Sequence, residues 1–371
     1  MHRNETTISN GKPRDSVSLE GVDYIEFYVG NPKQAAHFYQ TMLNMAPIGY
    51  AGLETGLRNK ASYILALGDI YFMFTGSLVP DDSIAWQVNL HGDFVRDIAF
   101  TVGDAEQAFN TAIERGAQAV LEPTLVEDDQ GRLIKATIAS CGDLVHSFIQ
   151  RSSHRSIFPG YKPIAAITGA NASGLTAIDH VAISAQSGTL DRWVDFYQKV
   201  FGFHESHREV VETSSTGMNS KVVQNESGSI RIPIVEPLPA KCKSQIDEYL
   251  EFHRGPGPQH VALQSNSIIE TTEKLQANGL EFLYTPGAYY DTLLDRVGPL
   301  DENLDDLRQA NILVDRDEWG YLMQIFSKHA QSRPTFFLEV IQRKGARGFG
   351  SGNIKALFEA VEREQAIRRN L

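Results

Sequence analysis

Two stretches far apart in the chain alternate between apolar and polar positions in the same way. Near the start, GVDYIEFYVGNPKQAAHFYQTMLNM opens on a short β-branched and aromatic run, passes through a turn and continues as an amphipathic segment. Much later, AIDHVAISAQSGTLDRWVDFYQKVFGF does the same, and both helical segments carry a Phe-Tyr pair, Phe38-Tyr39 and Phe196-Tyr197. Period-two alternation predicts a strand, and the apolar stripe after the turn predicts a helix. A second pair follows the same plan: DIAFTVGDAEQAFNTAIERGAQAVLEP and HVALQSNSIIETTEKLQANGLEFLYTP. Each reads as strand, turn, a helix ended by glycine (Gly116, Gly279), a further strand and a proline. The chain is therefore an internal repeat, with two strand-helix-strand modules in each half.

This pattern divides the 371 residues into a flexible leader (1–18), a first domain (19–155), a linker rich in Gly, Ser, Pro and Ala (156–174) and a second domain (175–371). In NIKALFEAVEREQAI, Ile354, Leu357, Phe358 and Val361 share one helical face, which predicts a C-terminal helix laid as a lid on an apolar pocket. The net charge of −12 argues against a sequence-independent grip on nucleic acid or on an anionic membrane. No apolar run is long enough to span a bilayer, and the first residues lack the apolar stretch of a signal peptide. Cys141 and Cys242 fall in different halves and make no disulfide framework, so a reduced, cytoplasmic setting is expected.

Chemistry enters where the copies differ. The second half has His180 in IDHVAI where the first has Tyr24 in VDYIEF, and His260 in QHVAL where the first has Asp97 in RDIAF. Strand alternation puts Ile178, His180 and Ala182 on one face, His260 with Ala262 on another strand, and Phe337, Glu339 and Ile341 on a third. A histidine in an apolar strand is more often a satisfied core residue than a ligand. Glu339 is harder to explain that way, because a carboxylate inside FFLEVI is expensive to bury without a cation. Two imidazoles and one carboxylate form the facial set of Fe(II) oxygenases, with positions left open. The expected site therefore lies in the second half, with the first half as scaffold.

Five motifs, KSQIDEYLEFHRGPGPQH, TPGAYYDTL, DEWGYLMQIFSK, RPTFFLEVIQR and GFGSGNIKALFEAVEREQ, occur in order and resemble the 4-hydroxyphenylpyruvate dioxygenase family, which includes 4-hydroxymandelate synthase. That family belongs to the vicinal-oxygen-chelate superfamily. The resemblance implies an α+β fold of two vicinal-oxygen-chelate domains built from βαβββ modules, each an open curled sheet barrel with outer helices, plus the capping helix. It implies one Fe(II) per chain on His180, His260 and Glu339. It places Gln259, Gln324, Phe337 and Asn353 in catalytic roles, and Ser220, Val235, Gln245, Phe326, Ile354 and Phe358 around the substrate. The partners implied are an aromatic 2-oxo acid and O2, in a homo-oligomer. Two products are open to such an enzyme: homogentisate by ring attack with side-chain migration, or 4-hydroxymandelate by benzylic hydroxylation. Val235 and Ile354 stand where the homogentisate-forming enzyme has Asn and Phe, and they resemble the mandelate-forming branch. Pro233 and Phe358 resemble the other. Ring-opening dioxygenases, glutathione-adduct isomerases and a non-catalytic binding protein of the same architecture are the rival readings.

Overall fold

The computed structural model describes residues 17–152, 158–164, 173–213 and 215–368. Most of the expected leader, and residues 156–157 and 165–172 of the expected linker, lie outside the described residues. In the first half the strands are β1 (Leu19–Tyr28), β2 (Ala46–Ala51), β3 (Lys60–Leu67), β4 (Ile70–Ser77), β5 (Phe94–Val102), β6 (Ala119–Asp128), β7 (Gly131–Ala139), β8 (Val145–Arg151) and β9 (Lys162–Pro163). In the second they are β10 (Leu175–Ser184), β11 (His204–Glu212), β12 (Gly217–Gln224), β13 (Arg231–Pro237), β14 (Gly257–Ser265), β15 (Leu313–Arg316), β16 (Tyr321–Phe326) and β17 (Phe337–Lys344).

The two sheets share one plan. The first runs β6-β7-β8-β5-β1-β4-β3-β2-β9, and the second, read from its other end, runs β15-β16-β17-β14-β10-β13-β12-β11. In each, the leading strands of the two modules pair antiparallel at the centre, β1 with β5 and β10 with β14. This is the repeated βαβββ arrangement in an α+β fold.

Local chemistry sets the helices that follow those leading strands. Helix Pro32–Leu43 starts with proline in its first turn, is capped by the Asn31 side chain and stops at a left-handed Asn44. Helix Leu190–Phe201 buries Leu190, Val194, Tyr197 and Phe201, one stripe at helical spacing, and ends at Gly202 with φ of 75°. These helices do not make two separate cores. Ile25, Phe27, Phe72, Val181, Ile183 and Tyr197 belong to one continuous apolar cluster across both halves. Phe27 meets Phe336 edge-on at 5.2 Å between ring centroids, and Phe100 meets Phe201 at 5.8 Å.

The other face of each sheet is concave. In the first half it is filled by Tyr24, Ile64, Tyr71, Ala99 and Phe158. Residues 158–164, inside the stretch whose composition predicts a linker, thus pack onto the first sheet, and two of them join it. Phe158 packs against Tyr24 and Tyr71, and Lys162–Pro163 pair with β2. In the second half the concave face is open at its edges, and helix Ser351–Arg368 lies over it between β11 and β15. Thr213 Oγ1 donates to Glu362 at 2.6 Å on one side, and the Gly352 N–H donates to Asp315 at 2.9 Å on the other. Among the described residues no helix is long and apolar enough to cross a membrane. Both cysteines are free.

Candidate metal centre and its pocket

His180 on β10, His260 on β14 and Glu339 on β17 come from three adjacent strands of the second sheet. Their ligand atoms lie within 4.8 Å of one another, and among the described residues they are the one such group. Glu339 Oε2 is 3.3 Å from His180 Nε2 and 3.4 Å from His260 Nε2. Atoms bound to one ion at about 2.1 Å and separated by about 90–105° would sit roughly 3.0–3.3 Å apart. The residues present therefore fit a divalent metal.

A β-bulge sets the outer support. The β10–β14 register shifts between Ile178 and His180, which lets Asp179 turn beside its neighbour instead of to the opposite face. His180 Nδ1 donates to Asp179 Oδ1 at 2.8 Å, leaving Nε2 free as a ligand atom. Arg343 clamps Asp179 from below, Nε to Oδ2 at 2.8 Å and Nη2 to Oδ1 at 2.9 Å. Glu339 Oε1 accepts from Gln324 Nε2 at 2.8 Å, and Gln324 Oε1 accepts from Asn353 Nδ2 at 2.9 Å. Asn353 accepts in turn from the Tyr289 hydroxyl. Gly350, in GFGSGN, makes this chain possible: a Cβ there would lie 2.6 Å from Gln324 Oε1.

Charge follows from these contacts. Burial works against the Glu339 carboxylate, but the two imidazoles and the Gln324 amide outweigh it and hold its pKa below the ordinary value. Burial also opposes a charged His180, yet the Glu339 and Asp179 carboxylates raise its pKa. His260 is pushed down to about 3, by burial above all, which keeps it in the neutral form a metal needs. The first half steadies the Glu339 strand. Just before β17, Arg333 Nη1 donates to Leu90 O at 2.7 Å, and Gln331 accepts from the Asp93 N–H at 3.0 Å.

From the triad a cavity opens along the concave face. Gln259, Gln324, Ser220 and Gln245 are among its polar walls; Met218, Pro233, Val235, Phe326, Ile354 and Phe358 are among its apolar ones.

The family model described as Glyoxalase/Bleomycin resistance protein/Dioxygenase superfamily matches residues 177–325. The 4-hydroxyphenylpyruvate dioxygenase of Yarrowia lipolytica is 38% identical over 376 residues, covering 95% of this chain and 94% of its own. That of Caenorhabditis elegans is 39% identical over 381 residues, covering 99% and 97%. The chain belongs to the 4-hydroxyphenylpyruvate dioxygenase family. A solved structure of a triple mutant of 4-hydroxymandelate synthase from Streptomyces coelicolor matches with a TM-score of 0.84 at 37% identity, covering 94% of this chain and 99% of that one. Membership makes the chain an enzyme of a dioxygenase family, and the expected vicinal-oxygen-chelate architecture is the one observed.

Within this family frame, the residues singled out from the sequence fall in two layers. All but two line the cavity at the His180–His260–Glu339 triad. Phe337 instead packs flat on His260, ring centroids 4.9 Å apart at 22°, and Asn353 is fully buried behind Gln324. The sequence reading missed Asp179 and Arg343, although the pair has a counterpart in the first half, where Arg151 Nε donates to Asp23 Oδ2 at 3.0 Å. It also missed His207, Glu209 and Phe349, which line the same cavity.

Proposed function

We propose that this enzyme binds one Fe(II) on His180, His260 and Glu339 and converts 4-hydroxyphenylpyruvate and O2 to 4-hydroxymandelate and CO2. One oxygen atom enters the carboxylate formed as CO2 leaves, and the other enters the benzylic C–H bond. Bound iron would supply the electrons for O2 and a Lewis-acidic seat for the oxo acid. The protein's part is orientation. Asp179 and Arg343 fix the His180 ring, and Gln324 fixes the Glu339 carboxylate. Gln259 lines the cavity as a partner for the oxo-acid head, while the Gln324 amide donates to Glu339 and Phe349 O. Phe326, Leu357 and Phe358 are buried side chains that keep bulk water from the reacting carbon.

The observation that carries the choice of product is the pair Val235 and Ile354 in the pocket wall. Without an amide at 235 the ring loses a polar hold, and without an aromatic wall at 354 it can retreat. Displacements of about an ångström decide which carbon meets the oxidant. Homogentisate formation is the second reading, favoured by the names of the curated relatives and by Pro233 and Phe358. The test is anaerobic reconstitution with Fe(II), addition of 4-hydroxyphenylpyruvate and air, and identification of products by chromatography and mass. The account expects 4-hydroxymandelate as main product. It further expects Val235→Asn with Ile354→Phe to move the product ratio toward homogentisate by about tenfold, roughly 1.4 kcal/mol in relative barrier. Homogentisate from the unmodified chain overturns the product assignment; an unmoved ratio removes these two positions as the switch.

A further inference from the structure

Strand β11 (HESHREVVE) reads as a solvated edge, but its inward row is largely withdrawn from solvent, with the His207 side chain 31% exposed and Val211 buried. His207, Glu209 and Val211 alternate onto the concave face; Val211 packs with Met218, Val235 and Phe358, while His207 and Glu209 line the metal cavity. Register places Glu209 directly beside Ser220, and Ser220 directly beside Val235. The Glu209 side chain is only 10% exposed, and its Oε2 stands 3.7 Å from His207 Nε2. Both atoms are shut off from solvent, and neither has a hydrogen-bond partner. Buried carboxylate and imidazole atoms are nearly always satisfied, so an unsatisfied pair facing a cavity points to a ligand group that completes it.

Position narrows what that group is. Phe349 stands between the two polar ends of the cavity, its ring centroid 5.2 Å from that of His180 and 6.1 Å from that of His207. β11 is three strands from β10 in the sheet, about 14 Å along the curved surface. An oxo acid held at the metal thus directs the far end of its ring toward β11, past Met218, Val222 and Val235. We propose that His207 and Glu209 form a specificity-determining subsite that recognises a phenolic hydroxyl at that far end. One hydroxyl oxygen fits about 2.8 Å from both atoms, donating its proton to Glu209 and accepting from a protonated His207 nitrogen, with Ser220 alongside. The subsite rests on reading the cavity as an aryl oxo-acid site.

The experiment is anaerobic calorimetry of 4-hydroxyphenylpyruvate and phenylpyruvate binding to the Fe(II)-loaded full chain, in the unmodified protein, Glu209→Gln and Glu209→Leu. Thermal midpoints check that each variant folds. The unmodified chain should bind the phenol about ten- to a hundredfold more tightly than the unsubstituted ring. Glu209→Leu should erase that preference while leaving phenylpyruvate affinity unchanged, and Glu209→Gln should retain part of it. Equal affinities in the unmodified chain overturn the subsite but leave the oxo-acid reading standing, as does a uniform loss for both ligands in Glu209→Leu. If neither arylpyruvate binds the unmodified chain, the oxo-acid reading falls and the subsite with it.

Discussion

The concave faces of the two halves hold the same strands and opposite solutions to one electrostatic problem. Asp97 pairs with Val145 across β5 and β8, and His260 pairs with Phe337 across β14 and β17. Ser147 therefore occupies the place of Glu339, and Lys135, opposite Ile149, occupies the place of Gln324, opposite Ile341. Where the second half gathers three candidate metal ligands, the first gathers Tyr24 and Asp97 around an ammonium, with Ser147 behind Asp97. Lys135 Nζ donates to the Tyr24 hydroxyl at 2.7 Å and to Asp97 at 3.2 Å, and Ser147 donates to Asp97 through its hydroxyl at 2.5 Å. Burial opposes the Lys135 charge, but the Tyr24 oxygen and the Asp97 and Glu26 carboxylates outweigh it and raise its pKa well above the ordinary lysine value.

The difference teaches how a repeat divides labour. A covalently attached cation satisfies the buried carboxylate permanently and leaves nothing to exchange. Two imidazoles and one carboxylate can instead take a cation from outside, and such an ion would keep coordination positions for substrate.

The largest way to break the comparison is to remove a ligand from the second half. Glu339→Ala should lower iron-dependent O2 uptake by at least about a thousandfold. Uptake unchanged in an oxygen-electrode assay would exclude Glu339 from the centre. Next, Lys135→Met strands Asp97 beside an apolar side chain and should cost about 3 kcal/mol in denaturant unfolding, with turnover per iron-loaded chain unchanged. A selective loss of turnover would contradict the scaffold role of the first half.

A smaller effect separates the halves by pH. His146 stands where the second half has Leu338, buried between Ile98 O at 3.1 Å and the Tyr197 hydroxyl at 2.8 Å, and burial pushes its pKa down to about 4. An unfolded chain takes up this proton below about pH 6.5, whereas the folded one resists it until near 4, so stability present at pH 7 is lost as pH falls through that window. The loss at pH 5 should be on the order of 2 kcal/mol. His146→Gln should flatten that slope in unfolding curves at pH 7 and pH 5; an unaltered slope would assign it to other groups.

Much of this was legible in the chain. The repeat shows because strand and helix periods recur in order, and His180, His260 and Glu339 show because each interrupts an apolar alternation. The rest depends on register. Lys135 and Ser147 sit in strands whose polar residues look ordinary until pairing aligns them with Asp97. Asp179 would face away from His180 in a regular strand, and the bulge that turns it has no sequence mark. His207 and Glu209 lie in a run so polar that only its pairing with β12 separates the inner row from the outer. Phe337 and Asn353 carry family motifs yet stand one layer behind the cavity, because packing on His260 and support of Gln324 occupy them.

The most direct test is the iron content of the purified chain after anaerobic loading with Fe(II) and removal of excess metal, measured beside His260→Ala. The account predicts one iron per chain in the unmodified protein and next to none in the variant. Equal iron in both, or none in either, would contradict a centre built on the second half's two imidazoles and carboxylate.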